Sequence, residues 1–279
     1  MHSTASDGTY APARLMQMAA ARGLSAVALT DHDTTAGLAE AADAARAVEL
    51  EFVPGIEFAA EYARGTLHIL GYFIDSAAPP LVEVLAEIVR ERDQRNRRMA
   101  ARLAGLSVRL PAEVVEPVPG GAVIGRPHLA HAIVRAGAAA TFQEAFDRYL
   151  ARGAASYVER ACPTAERIIA VIRAAGGVAV LAHPSQVGYG SRLELETLLR
   201  RLIDAGLGGV EVVHPDHSGD QRRLYEDLAD RWRLAKTGGS DFHALPMQLE
   251  RGVGFGRVRV PHGWLTVLAA RAGRTDGLV

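Results

Sequence analysis

The order of apolar runs predicts an α/β fold on a parallel sheet or barrel, with a helical insertion in its middle. Three observations carry this. Short β-like runs alternate with amphipathic helix-like runs toward both ends of the chain. The stretch between them has few strand signals. Nearly every strand-like run delivers a His, Asp or Glu at or near its end, and in a closed α/β barrel those ends converge on one active face.

The elements follow in order. Residues 11–22 read as a helix, with Pro12 near its start and Gly23 past its end. Leu24–Thr30 is an apolar strand running into Asp31-His32-Asp33. Residues 36–48 are alanine-rich and helical. The next β-like segment passes through Pro54-Gly55 and ends at Glu57, and residues 66–73 form another strand, with His68 inside it. Leu81–Leu106 reads as one long helix carrying six arginines from Arg90 to Arg102. A Pro/Gly-punctuated loop follows over 114–123, then short helices over 128–135 and 142–150. Alternation resumes with a helix over 164–175, strand 178–182 ending at His183, helix 193–205, strand 209–213 ending at His214, and helix 221–232. Residues 234–237 lead to Gly238-Gly239-Ser240-Asp241-Phe242-His243. A strand-like 253–260 and a helix 264–271 complete the pattern, with no internal repeat. The division is a barrel domain over 1–75 and 158–279 and a helical lid over 76–157.

The chain has 279 residues, 49% of them hydrophobic and 23% charged, ordinary for a globular protein able to bury a core without staples. A net charge of -1 supplies no basic excess to draw it to nucleic acid or a membrane surface. The single cysteine, Cys162, cannot form an internal disulfide and reads as inert. No apolar run approaches the roughly 20 residues that span a bilayer, and no signal peptide is apparent, so the expected location is the cytoplasm. No obligate protein partner is indicated.

Imidazoles and carboxylates together suit zinc, manganese or iron better than calcium or magnesium alone. Without a CxxC pair, a closed structural zinc site is not indicated. An open, multinuclear, catalytic site fits, in which paired ions activate a water and hold the oxygens of an in-line displacement. The arginine run could track a nucleic-acid backbone, but Glu91 and Asp93 break it and aromatics are missing. A solvated helix face is the preferred reading. There is no P-loop, no dinucleotide fingerprint and no nucleophile elbow.

Six segments then carry a family resemblance: His2-Ser3-x-x-x-Ser6-Asp7-Gly8, Thr30-Asp31-His32-Asp33, Pro54-Gly55-Ile56-Glu57, Leu67-His68-Ile69-Leu70-Gly71, Ala182-His183-Pro184 and Gly239-Ser240-Asp241-Phe242-His243. In this order they resemble the successive motifs of the PHP (polymerase and histidinol phosphatase) family. The resemblance implies a distorted seven-stranded α/β barrel and a metal-dependent phosphoesterase using a metal-activated water. Members usually open with a strand ending in Asp-Leu-His-x-His. Here His2 follows Met1 directly, so the first strand and the first His of that pair are expected to be truncated. The resemblance places two or three divalent ions, manganese first and zinc or iron as alternatives. His2, Glu57 and Asp241 would serve one ion; Glu57, His68 and His183 a second; Asp7, His32 and His243 a third. Glu57, His183 and Asp241 would carry catalysis.

Within the family, the insertion and Arg126-Pro127-His128 resemble the branch of nucleoside 3',5'-bisphosphate phosphatases, also linked to 5'-to-3' trimming of short RNA. Arg126 and His128, joined by His214, would bind substrate phosphate. The expected partner is a small nucleotide or short oligonucleotide. The alternatives are a 5'-3' exonuclease, a histidinol-phosphatase-like enzyme and a metal-binding module without catalysis.

Overall fold

The computed structural model describes residues 1–64, 66–115, 123–243 and 258–274. Six strands form one sheet in chain order: β1 (Ala26–Leu29), β2 (Glu51–Ala60), β3 (Leu67–Tyr72), β4 (Val178–Leu181), β5 (Gly209–Val213) and β6 (Ala235–Gly238). Six strands, against the seven expected, are formed among the described residues. The strand-like run 253–260 falls largely outside them, and its described part, 258–260, is irregular.

The sheet is parallel apart from β3, which is antiparallel to both its neighbours. Only six residues separate β2 from β3. A parallel crossover needs about a dozen or more, so β3 must turn straight back. Its first residues therefore lie at the edge where the other strands end, and His68, second in β3, reaches the same rim as His183 and Asp241.

β2 is one strand through Pro54. Its first half pairs with β1 up to Pro54, and its second half pairs with β3 from Gly55. Proline, which cannot donate to a ladder, sits where the strand changes partner. Gly55 stands where the backbones crowd: a Cβ there would lie 2.8 Å from Thr30 Cγ2 and 3.0 Å from the Gly71 carbonyl oxygen.

Two-residue alternation sends strand side chains to opposite faces. Leu29, Ile56, Phe58, Ile69, Leu181, Val210 and Val212 join the main core. That core packs beneath α1 (Pro12–Ala21), α2 (Leu38–Ala47), the first half of α3 (Pro79–Gly105), α6 (Ala165–Ala174), α7 (Arg192–Asp204) and α8 (Gly219–Arg231). Val53, Leu70, Tyr72, Val178, Val180 and Ala235 face the other way, against Leu268 and Ala269 of α9 (His262–Arg271). Each such Leu or Val contributes about 1.5–3 kcal/mol by leaving water. Glu57, between Ile56 and Phe58, and Glu211, between Val210 and Val212, point to this second face as well.

Another hydrophobic cluster gathers Met99 and Leu103 of α3 with Leu129 and Ile133 of α4 (Arg126–Arg135), Ala145 of α5 (Phe142–Ala145), and Tyr149 and Leu150 of the π turn that follows. α3 thus belongs to both cores. Its inward stripe is Leu81, Val84, Ile88, Arg92, Arg95, Met99 and Leu103. Arg92 and Arg95 occupy core positions on it and are buried, which corrects the expectation of a solvated arginine face. Arg90, Arg97, Arg98 and Arg102 are exposed.

Candidate metal centre

The opening turn is held by a buried carboxylate. Asp31 accepts hydrogen bonds from Ser3 N at 2.7 Å, Ser3 Oγ at 2.7 Å and Ser6 Oγ at 2.5 Å. Gly8 closes the turn, its N–H donating to Ser3 O. A Cβ on Gly8 would fall 2.1 Å from the His2 carbonyl oxygen, so only glycine fits. Thr30 N donates to Met1 O at 3.0 Å and His2 N to Phe242 O at 2.9 Å. The first residues are thereby fixed between the exits of β1 and β6.

The remaining groups arrive on strand ends. His32 continues β1 in a parallel bridge to Glu57. His183 leaves β4 at φ +21°, its N–H donating to Glu211 at 2.7 Å. Asp241 follows β6 at φ +48°. Two non-glycine residues in this sparsely populated region aim their side chains inward.

The groups converge on Glu57. His2 Nε2 lies 3.1 Å from Glu57 Oε2 and 3.0 Å from Asp241 Oδ1. His68 Nδ1 lies 2.6 Å and His183 Nε2 3.0 Å from Glu57 Oε1. His243 Nε2 lies 3.3 Å from Asp7 Oδ1, and the His2 and His243 rings stack at 4.0 Å. Three overlapping groups place their ligand atoms within 4.8 Å of one another: His2, Asp7, His32 and His243; His32, Glu57 and His68; and His2, Glu57 and Asp241. The third is the trio expected from the motifs. In the other two, His32 stands with Glu57 and His68, and His2 joins Asp7, His32 and His243. His183 touches Glu57 from the side of Glu211.

The donor chemistry fits divalent transition ions. His68 Nδ1 and His183 Nε2 face each other at 3.2 Å, a contact of two imidazoles over one carboxylate oxygen that a shared cation satisfies. His2 Nδ1 and His183 Nδ1 are buried without a hydrogen-bond partner. Burial opposes charge on Glu57, but His32 and His68 outweigh it and hold its carboxyl well below the usual range. Asp241 is held down likewise against burial, by His243 and His2. Burial pulls His2 down, yet its bonds to Asp241 and Glu57 raise it to about 10. His32, dominated by burial, falls to about 4. The carboxylates thus stay anionic and draw positive charge, either protons on His2 and His183 or divalent ions that displace them.

The expected substrate residues divide. Arg126 and His128 open α4 in the insertion, and His128 Nδ1 accepts from Gly125 N at 3.0 Å. The preceding loop docks on the opening turn, Val123 N donating to Ala5 O at 3.0 Å. His214 instead lies buried behind the cluster, Nε2 3.7 Å from Asp241 Oδ2.

Sequence reasoning passed over Asp31, Glu211 and Asp33. Asp31 organises the opening turn. Glu211, its pKa raised by burial, holds the His183 backbone. Asp33 takes Arg92 and Arg160, the latter at 2.9 Å. An acid alternating with valines in Gly209–Val213, and one on either side of His32, were the available signals.

The PHP domain model matches residues 1–159. The chain is 38% identical over 255 residues to the 3',5'-nucleoside bisphosphate phosphatase of Chromobacterium violaceum, covering 91% of this chain and 88% of that one. It is 33% identical over 244 residues to the 5'-3' exoribonuclease Rnm of Escherichia coli, covering 87% and 83%. Its fold superimposes on a Bifidobacterium adolescentis chain designated a metal-dependent phosphoesterase, with a TM-score of 0.84 and 30% identity, over 97% and 94% of the two chains. No helix among the described residues is long and apolar enough to cross a membrane. The chain belongs to the PHP family and is a metal-dependent phosphoric ester hydrolase.

Proposed function

We propose that the chain removes the 3'-phosphate of nucleoside 3',5'-bisphosphates, such as adenosine 3',5'-bisphosphate, leaving the 5'-nucleotide. One observation carries this reading: the segment leading into Arg126 and His128 docks on the turn that bears Asp7, Val123 N donating to Ala5 O at 3.0 Å, which sets the start of α4 beside the acid cluster. The phosphatase relative, 38% identical, supports it.

The ligands are His2, Asp7, His32, Glu57, His68, His183, Asp241 and His243. They would hold two or three divalent ions, manganese first. When bound, those ions activate water and neutralise charge on the phosphate undergoing transfer. Glu57 lies between the His2 side and the His68–His183 side and ties the cluster together. Glu211 sets the His183 backbone, and His214 buttresses Asp241, its Nε2 3.7 Å from Asp241 Oδ2. Arg126 and His128 bind phosphate from the insertion, where a guanidinium suits bidentate contact.

The test is phosphate release from adenosine 3',5'-bisphosphate by manganese-loaded protein. No release with manganese, zinc or iron would sink the proposal. The exoribonuclease relative supports a second reading, cleavage of short 5'-phosphorylated RNA. A 5'-phosphorylated dinucleotide cleaved faster than the bisphosphate would favour it.

A further inference from the structure

Successive N–H groups at the end of β4 point to opposite neighbours. Leu181 is the last residue of β4 in register with β5, opposite Val210. Ala182 N then donates to His68 O at 3.1 Å, on the β3 side. The next N–H, that of His183, faces β5 where the ladder has ended. It meets the Glu211 side chain, with Oε2 at 2.7 Å, in place of a strand carbonyl. This is the only hydrogen bond to Glu211 among the described residues, and Glu211 is 4% exposed. Burying a carboxylate is costly, and a single hydrogen bond offsets little of that cost.

The conformation that this bond holds is one His183 would not take by itself. Its φ is +21° and its ψ 68°, in the left-handed region that favours glycine. Pro184 follows, and a residue before proline prefers extended backbone. A ligand histidine usually has its orientation fixed through the ring nitrogen that does not face the ion. His183 turns Nε2 to Glu57 Oε1 at 3.0 Å, while its Nδ1 is buried with no hydrogen-bond partner among the described residues. With Nδ1 unheld, aim is left to the backbone. Release of the His183 N–H would let φ return to negative values. The swing of Cβ would carry the ring off Glu57 Oε1 and away from His68 Nδ1, which stands 3.2 Å from Nε2.

We propose that Glu211 is a positioning residue that serves one metal position only. It fixes His183 in the left-handed backbone and thereby sets the His68–His183 side of Glu57, on the ligand reading above, on which this assignment rests. His2, Asp7, His32 and His243 are placed by other means, the opening turn on Asp31 and the exits of β1 and β6, and do not depend on it. Loss of Glu211 therefore splits the centre: one ion is weakened and the rest are held as before.

The test reads metal binding and needs no turnover. EDTA-treated protein is titrated with manganese, and the free ion is counted by its EPR signal. The unmodified protein should take up at least two ions. Glu211→Met, of similar volume but with no acceptor, should weaken one of them by about 10–100-fold, the range for partners that orient ligands, and leave the others within about threefold. Glu211→Gln can still accept from His183 N and should stay within about threefold at every ion. Weakening by Glu211→Gln as large as that by Glu211→Met overturns the proposal, since the charge and not the bond would then be acting. So does a Glu211→Met variant that binds every ion as the unmodified protein does, or one that weakens all of them alike as a general loss of structure would. If Glu211→Met does not fold, Glu211→Asp, whose carboxylate stops one methylene short of His183 N, is read for the same split. Unmodified protein that binds fewer than two ions overturns the ligand reading and this assignment with it. A missing split with the ions in place overturns this assignment alone.

Discussion

Asp31→Asn tests whether the opening turn is built to present ligands. Asp31 is 2% exposed and receives three hydrogen bonds, two on Oδ1 and one on Oδ2. Asparagine keeps the shape and can still accept on Oδ1 from Ser3 N and Ser6 Oγ. It places an amide donor where Ser3 Oγ now donates, and that hydroxyl already accepts from Ala5 N at 3.1 Å. Hydrogen bonds to a charged group contribute about 1.5–3 kcal/mol and neutral ones about 0.5–1.5, so the three together lose about 3 kcal/mol. The loss falls on the turn carrying His2 and Asp7, and partners that orient ligands typically alter metal affinity by about 10–100-fold. Calorimetric titration of EDTA-treated protein with manganese should show that weakening, and a melting curve should show the lower Tm. Lowered Tm with unchanged manganese affinity would falsify the idea that Asp31 acts through the ligands, leaving it a purely structural residue.

Other outcomes follow from the same geometry. Glu57→Gln removes the charge at the meeting point of His2, His68 and His183 and should cut phosphate release by at least about 10³-fold; a variant retaining the native rate counts against the ligand assignment. Gly8→Ala forces the turn to move, because its Cβ meets the His2 carbonyl at 2.1 Å, and should cost several kcal/mol in a urea melt, roughly the range of strained special positions; an unchanged midpoint contradicts that. His217 is buried, donates Nδ1–H to Val212 O at 2.9 Å, and is brought by burial from the ordinary 6.5 to about 4. Above pH 6.5 both folded and unfolded forms are neutral there. As pH falls toward 4 the unfolded chain takes up the proton first, so stability declines, by about 2 kcal/mol at pH 5. His217→Asn should therefore show a smaller fall in Tm between pH 7 and pH 5 than the unmodified protein, and equal falls would refute the assignment.

Much of the site can be read from the residues because strand ends announce it: His32, Glu57, His183 and Asp241 each follow or sit within a short apolar run. The antiparallel course of β3 was also readable, since six residues between Ala60 and Leu67 exclude a crossover, but alternation alone conceals it. Arg92 and Arg95 were hidden by composition. A run of arginines looks solvated until it is set against the stripe of Leu81, Ile88, Met99 and Leu103, where two of them take core positions. Asp31 and Glu211 act on the backbone of the ligands, and sequence spacing holds no record of which N–H a buried carboxylate will accept. His214 follows β5 directly and is buried, its Nε2 3.7 Å from Asp241 Oδ2, a burial that its place after a strand does not announce.

The reversal of β3 also sets a length. β3 ends at the edge of the sheet away from the ligands, so the chain must climb the full height of the sheet before it can reach them again. Its six residues span about 20 Å. α3 starts at that lower edge, and the thirteen positions from Pro79 to Arg92 rise by about 20 Å. The helix therefore works as a ruler whose first half matches the strand and whose second half carries the insertion above it. Adding one residue below Arg92 would lift the arginines by only about 1.5 Å but swing them about 100° around the axis, away from Asp33. Additions of seven or eleven residues bring the stripe back to within about 20° of its facing but lift the arginines by about 10–16 Å, away from Asp33. Variation in the length of this helix is thus confined to its upper half or to the loops beyond, where it leaves Arg92 level with Asp33.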